Sequence, residues 1–169
     1  ITLDCGIKAH DKVFYAHERG IDMIITDHHT PDDMIPPAVA VLNPKRTDCS
    51  YPYKELCGCG IGFKLIQALC KSLGYPLETA YAYLDLVALA TCADIVPITG
   101  ENRILVSAGL KQINERPSEV MQLLLSTANP PIQVRDLVFV AAPRINAAGR
   151  MNHASRAVDF LIGESMEEA

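Results

Sequence analysis

The chain has no apolar stretch approaching the roughly 18 residues that a membrane-crossing helix requires, and no basic-then-apolar segment of the secretory type stands at its start. Positive charge is also short: 15 Lys and Arg face 20 Asp and Glu, a net charge of −5. That balance argues against a general nucleic-acid coat. It leaves open a polyanionic substrate held through divalent cations, which invert the local field. There is no internal repeat or low-complexity tract. Six cysteines occur, at 5, 49, 57, 59, 70 and 92. The pair Cys57 and Cys59 has no second Cys/His pair at finger spacing, which speaks against structural zinc. Several of the six lie in apolar segments and read as buried free thiols of a cytoplasmic protein.

What the chain does have is core. Of 169 residues, 49% are apolar, enough to fill one domain. Ile1–Leu3 reads as the end of a buried strand. Ser165–Glu168 reads as a capping box opening a further helix. The sequence is therefore expected to be a piece of a longer one, continuing at both ends.

The pattern predicts an α/β fold with a mainly parallel sheet flanked by helices. After the strand at 1–3 and a turn at Asp4-Cys5-Gly6, His10 to Arg19 has helical spacing and Gly20 stops it. Asp22 to Thr26 is a second buried strand, so the first 27 or so residues make a βαβ unit with parallel strands. Ala38 to Leu42 forms a third strand, ended by Asn43-Pro44. Helices follow from about Phe63 to Leu73, from Leu77 to about Ala93 (apolar on nearly every face), from Asn102 to Ile113, and from Ser118 to Leu125 with Ser118 as cap. Beyond Val134 helix is expected, broken near Pro143.

Parallel geometry gives the chemistry. Asp4 and the triplet Asp27-His28-His29 both fall at carboxyl ends of strands, the edge where open α/β sheets bind ligands. Carboxylate oxygen and imidazole nitrogen in one small volume form a ligand set for a divalent metal such as Mn²⁺, and phosphate-ester hydrolysis is the reaction such strand-end metals suggest. Each position also has a plain structural reading. Asp4 suits a turn cap, Asp94 a helix-terminal turn, His29 a hydrogen-bonded structural role, and His10, His17 and His153 the surface. The glycines at 58, 60 and 62 precede a helix as in an anion-binding loop. Their spacing fits neither a P-loop nor a dinucleotide fingerprint, which favours tight packing of a loop.

Taken in order, Leu3–Gly6, Thr26–His29, Leu86–Asp94, Gly100–Arg103 and Pro143–Met151 resemble the DHH phosphoesterase family, over essentially the whole chain. The last two motifs resemble its single-strand-specific 5′-exonucleases. The resemblance implies a two-cation site taking Mn²⁺ or Mg²⁺, with Asp4 bridging and His28 and Asp94 as further ligands. It implies that His29 faces the scissile phosphate and that Asp27 supports the site. Two cations about 3.5–4 Å apart can clamp the attacking and leaving oxygens of a phosphodiester.

The implied substrate is single-stranded DNA, degraded from the 5′ end in repair and recombination, with DNA-repair proteins as further partners. An Asp-x-Asp strand end completing the second cation site belongs to the family's pattern and is absent here, so this chain is expected to be weak or inactive by itself. Residues 1–142 correspond to the C-terminal part of a catalytic domain and 143–169 to the start of a helical linker. Within 135–156 four arginines face one Asp, a local charge of +3. There Arg144, Asn146 and Arg150 are candidate contacts to DNA phosphates, and the two arginines read equally as helix-surface residues pairing with Glu or backbone carbonyls. Three alternatives stay open: a phosphoesterase of short oligoribonucleotides or cyclic dinucleotides, a pyrophosphatase, and a non-catalytic binding module of the same fold.

Overall fold

The computed structural model describes residues 1–151 and 154–162. His153 and the capping box at 165–168 lie outside the described residues, as do the side chains of Arg150 and Arg156. Three short strands, β1 (Thr2–Leu3), β2 (Ile24–Thr26) and β3 (Ala40–Leu42), form a parallel sheet in the order β1-β2-β3. Helix α1 (His10–His17) joins the first two and buries Val13 and Ala16. Each strand is brief because an acid or a proline follows quickly; the central strand β2 is the most buried of the three.

Register decides what the sheet presents. Leu3 pairs with Thr26, and Thr26 with Leu42. The residues that follow, Asp4, Asp27 and Asn43, therefore stand on one rung at the carboxyl edge. The ladder continues one step past the strands: the Asp4 N–H donates to Thr26 O at 2.9 Å and the Asp27 N–H to Leu42 O at 3.0 Å.

Helices form the rest. They are α2 (Gly58–Leu73), α3 (Glu78–Tyr81), α4 (Leu84–Ala93), α5 (Gly100–Glu115) and α6 (Glu119–Leu124). Short α7 (Val134–Asp136) runs through a π-helical stretch (Leu137–Ala141) into α8 (Ala142–Met151), with α9 (Ala154–Ile162) after it. Two apolar clusters hold them. One joins α2, α3, α4 and α5 around Leu56, Phe63, Val87 and Leu105. The other joins α4, α5, α6 and the π-helical stretch around Val106, Met121 and Leu137. Helix α4 serves both, which fits its all-round apolar sequence. It lies so close to α5 that a Cβ at Gly109 would stand 2.2 Å from Leu84 O and 2.5 Å from Ala88 Cβ.

Several sequence-based boundaries move. The helix expected from Phe63 begins at Gly58, because the Cys57 thiol caps it by accepting the Gly60 N–H. The glycines are thus packed tightly, as expected, but inside a helix and not in a loop. The helix expected over 77–93 is two. Asp85, buried in the first turn of α4, accepts the Leu86 N–H and the Ser118 hydroxyl and so starts a new helix where hydropathy alone shows no seam. Ser118 caps α6 by accepting the Met121 N–H. Pro143 does not break its helix. It lies in the first turn of α8, just after the π-helical widening in which the Ala142 N–H bonds back to Leu137 O. A proline without an N–H is accommodated at such a place.

Candidate metal centre

Asp27 is the hub of the site. Its side chain is 2% exposed and collects four donors. The Ile7 N–H bonds Oδ2 at 2.9 Å. Oδ1 takes the N–H groups of His28 and His29 at 2.8 and 3.2 Å and meets His29 Nδ1 at 2.7 Å. Burial pushes the Asp27 carboxyl up, and these hydrogen bonds outweigh it and hold the group below its ordinary value. With Nδ1 engaged by a carboxylate, the His29 ring presents Nε2 outward from a side chain that is 58% exposed. Asp27 thus orients the triplet and is not itself placed as a ligand.

His28 lies beside His29, the two ring centroids 4.4 Å apart. Its side chain is 8% exposed, and Nε2 stands 3.0 Å from Asp4 Oδ1 and 3.4 Å from Asp94 Oδ2. Neither ring nitrogen makes a hydrogen bond, so the two carboxylates sit within reach but off the N–H direction. Ligand atoms of Asp4, His28 and His29 all lie within 4.8 Å of one another. Burial raises the Asp94 carboxyl above its ordinary value; the His28 ring pulls it down and the neighbouring Asp4 charge adds to the rise. A buried imidazole without a hydrogen-bond partner, between two carboxylates that repel each other, is the donor set a divalent cation would satisfy. The residues present therefore fit Mn²⁺ or Mg²⁺.

The rest of the fold brings the acids together. Asp4 adopts φ +62°, which Asp tolerates, and leaves β1 in a left-handed turn. Asp94 caps the end of α4, and the next residue, Ile95, has φ +59°. That conformation is costly for a β-branched residue and marks strain beside the site. The start of α2 is tied to the end of α4 through Cys57, whose Sγ lies 3.4 Å from Thr91 Oγ1. Cys57 is a helix cap here and not half of a zinc pair. Burial pushes the Cys59 thiol up to about 12, with the charges of Cys57 and Asp4 adding to it.

Gly100–Arg103 turns out to be a brace. Glu101 takes the Tyr51 hydroxyl at 2.7 Å and Lys64 Nζ at 2.8 Å. Asn102, fully buried, donates to Glu55 O and Pro97 O and so pins the loop after Asp94.

The arginine cluster divides. Arg144 donates through Nη1 to Leu123 O, Leu124 O and Ser126 Oγ, and through Nη2 to Thr127 Oγ1, at 2.8–3.1 Å. Its fork closes the carbonyl end of α6 and is engaged by these protein oxygens. Asn146 is exposed on α8. His10 leans on Asp32 at 3.6 Å, beside the Lys8–Asp32 pair at 3.2 Å, and His17 is exposed.

Two site residues escape the sequence reading. Asn43 reads there only as a strand end, although its rung beside Asp27 follows from the strand pattern. Gly58 reads there only as part of a tightly packed glycine run, since its contact is with Asp4, far earlier in the chain.

The sequence is similar to known proteins over its full length. It is 40% identical to the single-stranded-DNA-specific exonuclease RecJ of Dickeya dadantii, covering 100% of this chain and 32% of that protein. To the RecJ of Bacillus subtilis it is 39% identical, covering 100% of this chain and 21% of that protein. The fold matches a crystal structure of exonuclease RecJ bound to manganese with a TM-score of 0.86 and 37% identity, over 99% of this chain and 42% of that one. It matches RecJ of Thermus thermophilus in complex with Mn²⁺ with a TM-score of 0.82 and 37% identity, over 95% of this chain and 24% of that one. The chain thus spans about a third or less of the curated relatives' length. The sequence profile of the DHH family, N-terminal domain, matches residues 1–91, a stretch that takes in the whole sheet and its carboxyl edge, and on that match the chain belongs to the DHH family.

Proposed function

We propose that this chain supplies the cation-binding core of an exonuclease that hydrolyses the phosphodiester bonds of single-stranded DNA from the 5′ end, with Mn²⁺ or Mg²⁺, in DNA repair and recombination. The observation that carries the reading is the convergence of Asp4, His28 and Asp94 around an imidazole with no hydrogen-bond partner. The names and bound manganese of the similar RecJ proteins support it.

In this reading Asp4, His28 and Asp94 hold the cation, which when bound supplies Lewis-acid charge to the phosphate oxygens and acidity to water. His29 turns its free Nε2 to the scissile phosphate, and Asp27 holds that ring by Nδ1 while fixing the backbone of both histidines. Residues 1–142 are the catalytic part and 143–169 the start of a linker that begins within α8. Asn146 and Arg150 are the proposed phosphate contacts of that helix. Arg144, with its fork occupied, is a weaker candidate. Repair proteins are the proposed further partners. All six cysteines are free thiols, which supports a reducing, cytoplasmic setting.

The test compares Mn²⁺-dependent release of mononucleotides from a long 5′-labelled single strand with turnover of a dinucleotide and of pyrophosphate, with His28→Ala as control. Slow, cation-dependent release from the long strand, abolished in His28→Ala, is expected. Faster use of the dinucleotide or of pyrophosphate, or release indifferent to the cation, would overturn the reading.

A further inference from the structure

We propose that Asn43 is a positioning residue for His29, acting through the His29 main-chain carbonyl and not through the cation ligands. The part of this that concerns the reaction rests on the function proposed above; the part that concerns His29 does not.

Asn43 follows β3 on the same rung as Asp4 and Asp27. It is 3% exposed. Its amide is used at both ends: Oδ1 accepts the Lys45 N–H at 2.8 Å, and Nδ2 donates to His29 O at 2.8 Å. The first bond is the ordinary business of an Asn at a turn, and Asp, Ser or Thr would make it as well. The second is not needed for the turn. It reaches 14 residues back along the chain to the peptide that leaves β2, and among residues of this size it needs the NH₂ that only Asn carries.

That peptide has little else to hold it. The ladder between β2 and β3 ends at the Asp27 N–H. Beyond it the N–H groups of His28 and His29 are fixed by the Asp27 carboxylate, and the His29 carbonyl by Asn43. Two neighbouring rung residues thus grip opposite poles of one dipeptide. The two rings lie side by side, centroids 4.4 Å apart, yet differ in setting: His28 is buried between Asp4 and Asp94 while His29 is 58% exposed. The two grips hold the backbone that sets this arrangement. Loss of the Asn43 donor frees the His29 carbonyl, while Asp27 keeps the His28 backbone in place. A buried neutral hydrogen bond in a polar network has this leverage because no water is available to replace it.

The experiment uses Asn43→Ala and Asn43→Asp, the latter keeping an oxygen for the Lys45 N–H. Four quantities are read: the His28 and His29 ring resonances by NMR in the metal-free chain, Mn²⁺ affinity, and KM and kcat on single-stranded DNA. The expected result is a displaced His29 ring resonance with that of His28 unmoved, and Mn²⁺ affinity within about twofold of the parent. The kcat should fall roughly tenfold to a hundredfold with little change in KM, the usual effect of a misplaced reacting group. In a His29→Ala background, Asn43→Ala should cause no further loss of kcat, since residues acting as one unit are non-additive.

An unmoved His29 resonance, or an equal loss of kcat with and without His29, would overturn the proposal. So would a joint fall of Mn²⁺ affinity and folding stability, which is what a purely structural Asn43 predicts. If the parent chain turns over a dinucleotide or pyrophosphate faster than single-stranded DNA, the exonuclease reading fails, and with or without turnover the two ring resonances still decide the role of Asn43. Should Asn43→Ala not fold, Asn43→Asp is judged by the same criteria.

Discussion

Gly58 leaves room for Asp4: a Cβ at position 58 would stand 2.4 Å from both Cβ and Oδ1 of the Asp4 side chain. The first turn of α2 is pressed against the carboxylate nearest to His28. Only a residue without a side chain permits that approach.

Gly58→Ala should therefore weaken Mn²⁺ binding by roughly tenfold or more, although alanine is the better helix former by about 1 kcal/mol. The overlap falls on the side chain of a proposed ligand, so the cation site gives way before the helix does. Isothermal titration of the parent and the variant measures it, and equal affinities would refute the close approach.

Cation binding should be visible as stability. A cation at about 100 times its dissociation constant stabilises the state that binds it by about 2.7 kcal/mol, which for a chain of this size raises Tm by roughly 5–10 °C. His28→Ala removes the nitrogen shared by Asp4 and Asp94 and should abolish the shift. Differential scanning fluorimetry with and without Mn²⁺ is the measurement. A shift of equal size in the variant would place the cation elsewhere.

Asp27 makes a prediction with a definite sign. Its carboxyl is held below its ordinary value in the fold, so its hydrogen bonds add stability above the unfolded value of about 3.9 and lose it as pH falls through the lower folded value. With a chelator present, the parent should lose stability progressively as pH drops below about 4. Asp27→Asn should be less stable at neutral pH, by about 1–3 kcal/mol for donors left unmatched, and should lack that acid-dependent increment. Matching acid limbs in urea titrations of the two proteins would contradict it.

Arg144 should behave as a helix fastener. Arg144→Ala removes donors to Leu123 O and Leu124 O and should lower stability by on the order of 1–2 kcal/mol. Affinity for single-stranded DNA at low salt should be nearly unchanged. The opposite pair of results, lost affinity with intact stability, would return Arg144 to the phosphate.

Much of the site is legible in the chain because a strand converts order into position. With Ile1–Leu3, Asp22–Thr26 and Ala38–Leu42 as parallel strands, Asp4 and Asp27 have to leave the same edge. Asn43 has to do so too, though the sequence displays only its strand-ending half. The ends of the helices are less legible. Cys57 as a cap, the new start at Asp85 and the passage of Pro143 each depend on one hydrogen bond to a backbone group, and hydropathy averaged over several residues does not register it.

By itself the sequence determined the parallel α/β class, the edge on which the acids and imidazoles emerge, and the ligand types gathered there, since these follow from local periodicity and from the fixed direction of parallel strands. Tertiary structure alone decided that Asp94 closes on His28, that Gly58 must be bare to admit Asp4, and that Arg144 is occupied by α6. Those are contacts between segments distant in the chain. They arise from how α2, α4 and α8 pack, and packing is set by the shape of the whole core and not by any stretch of it.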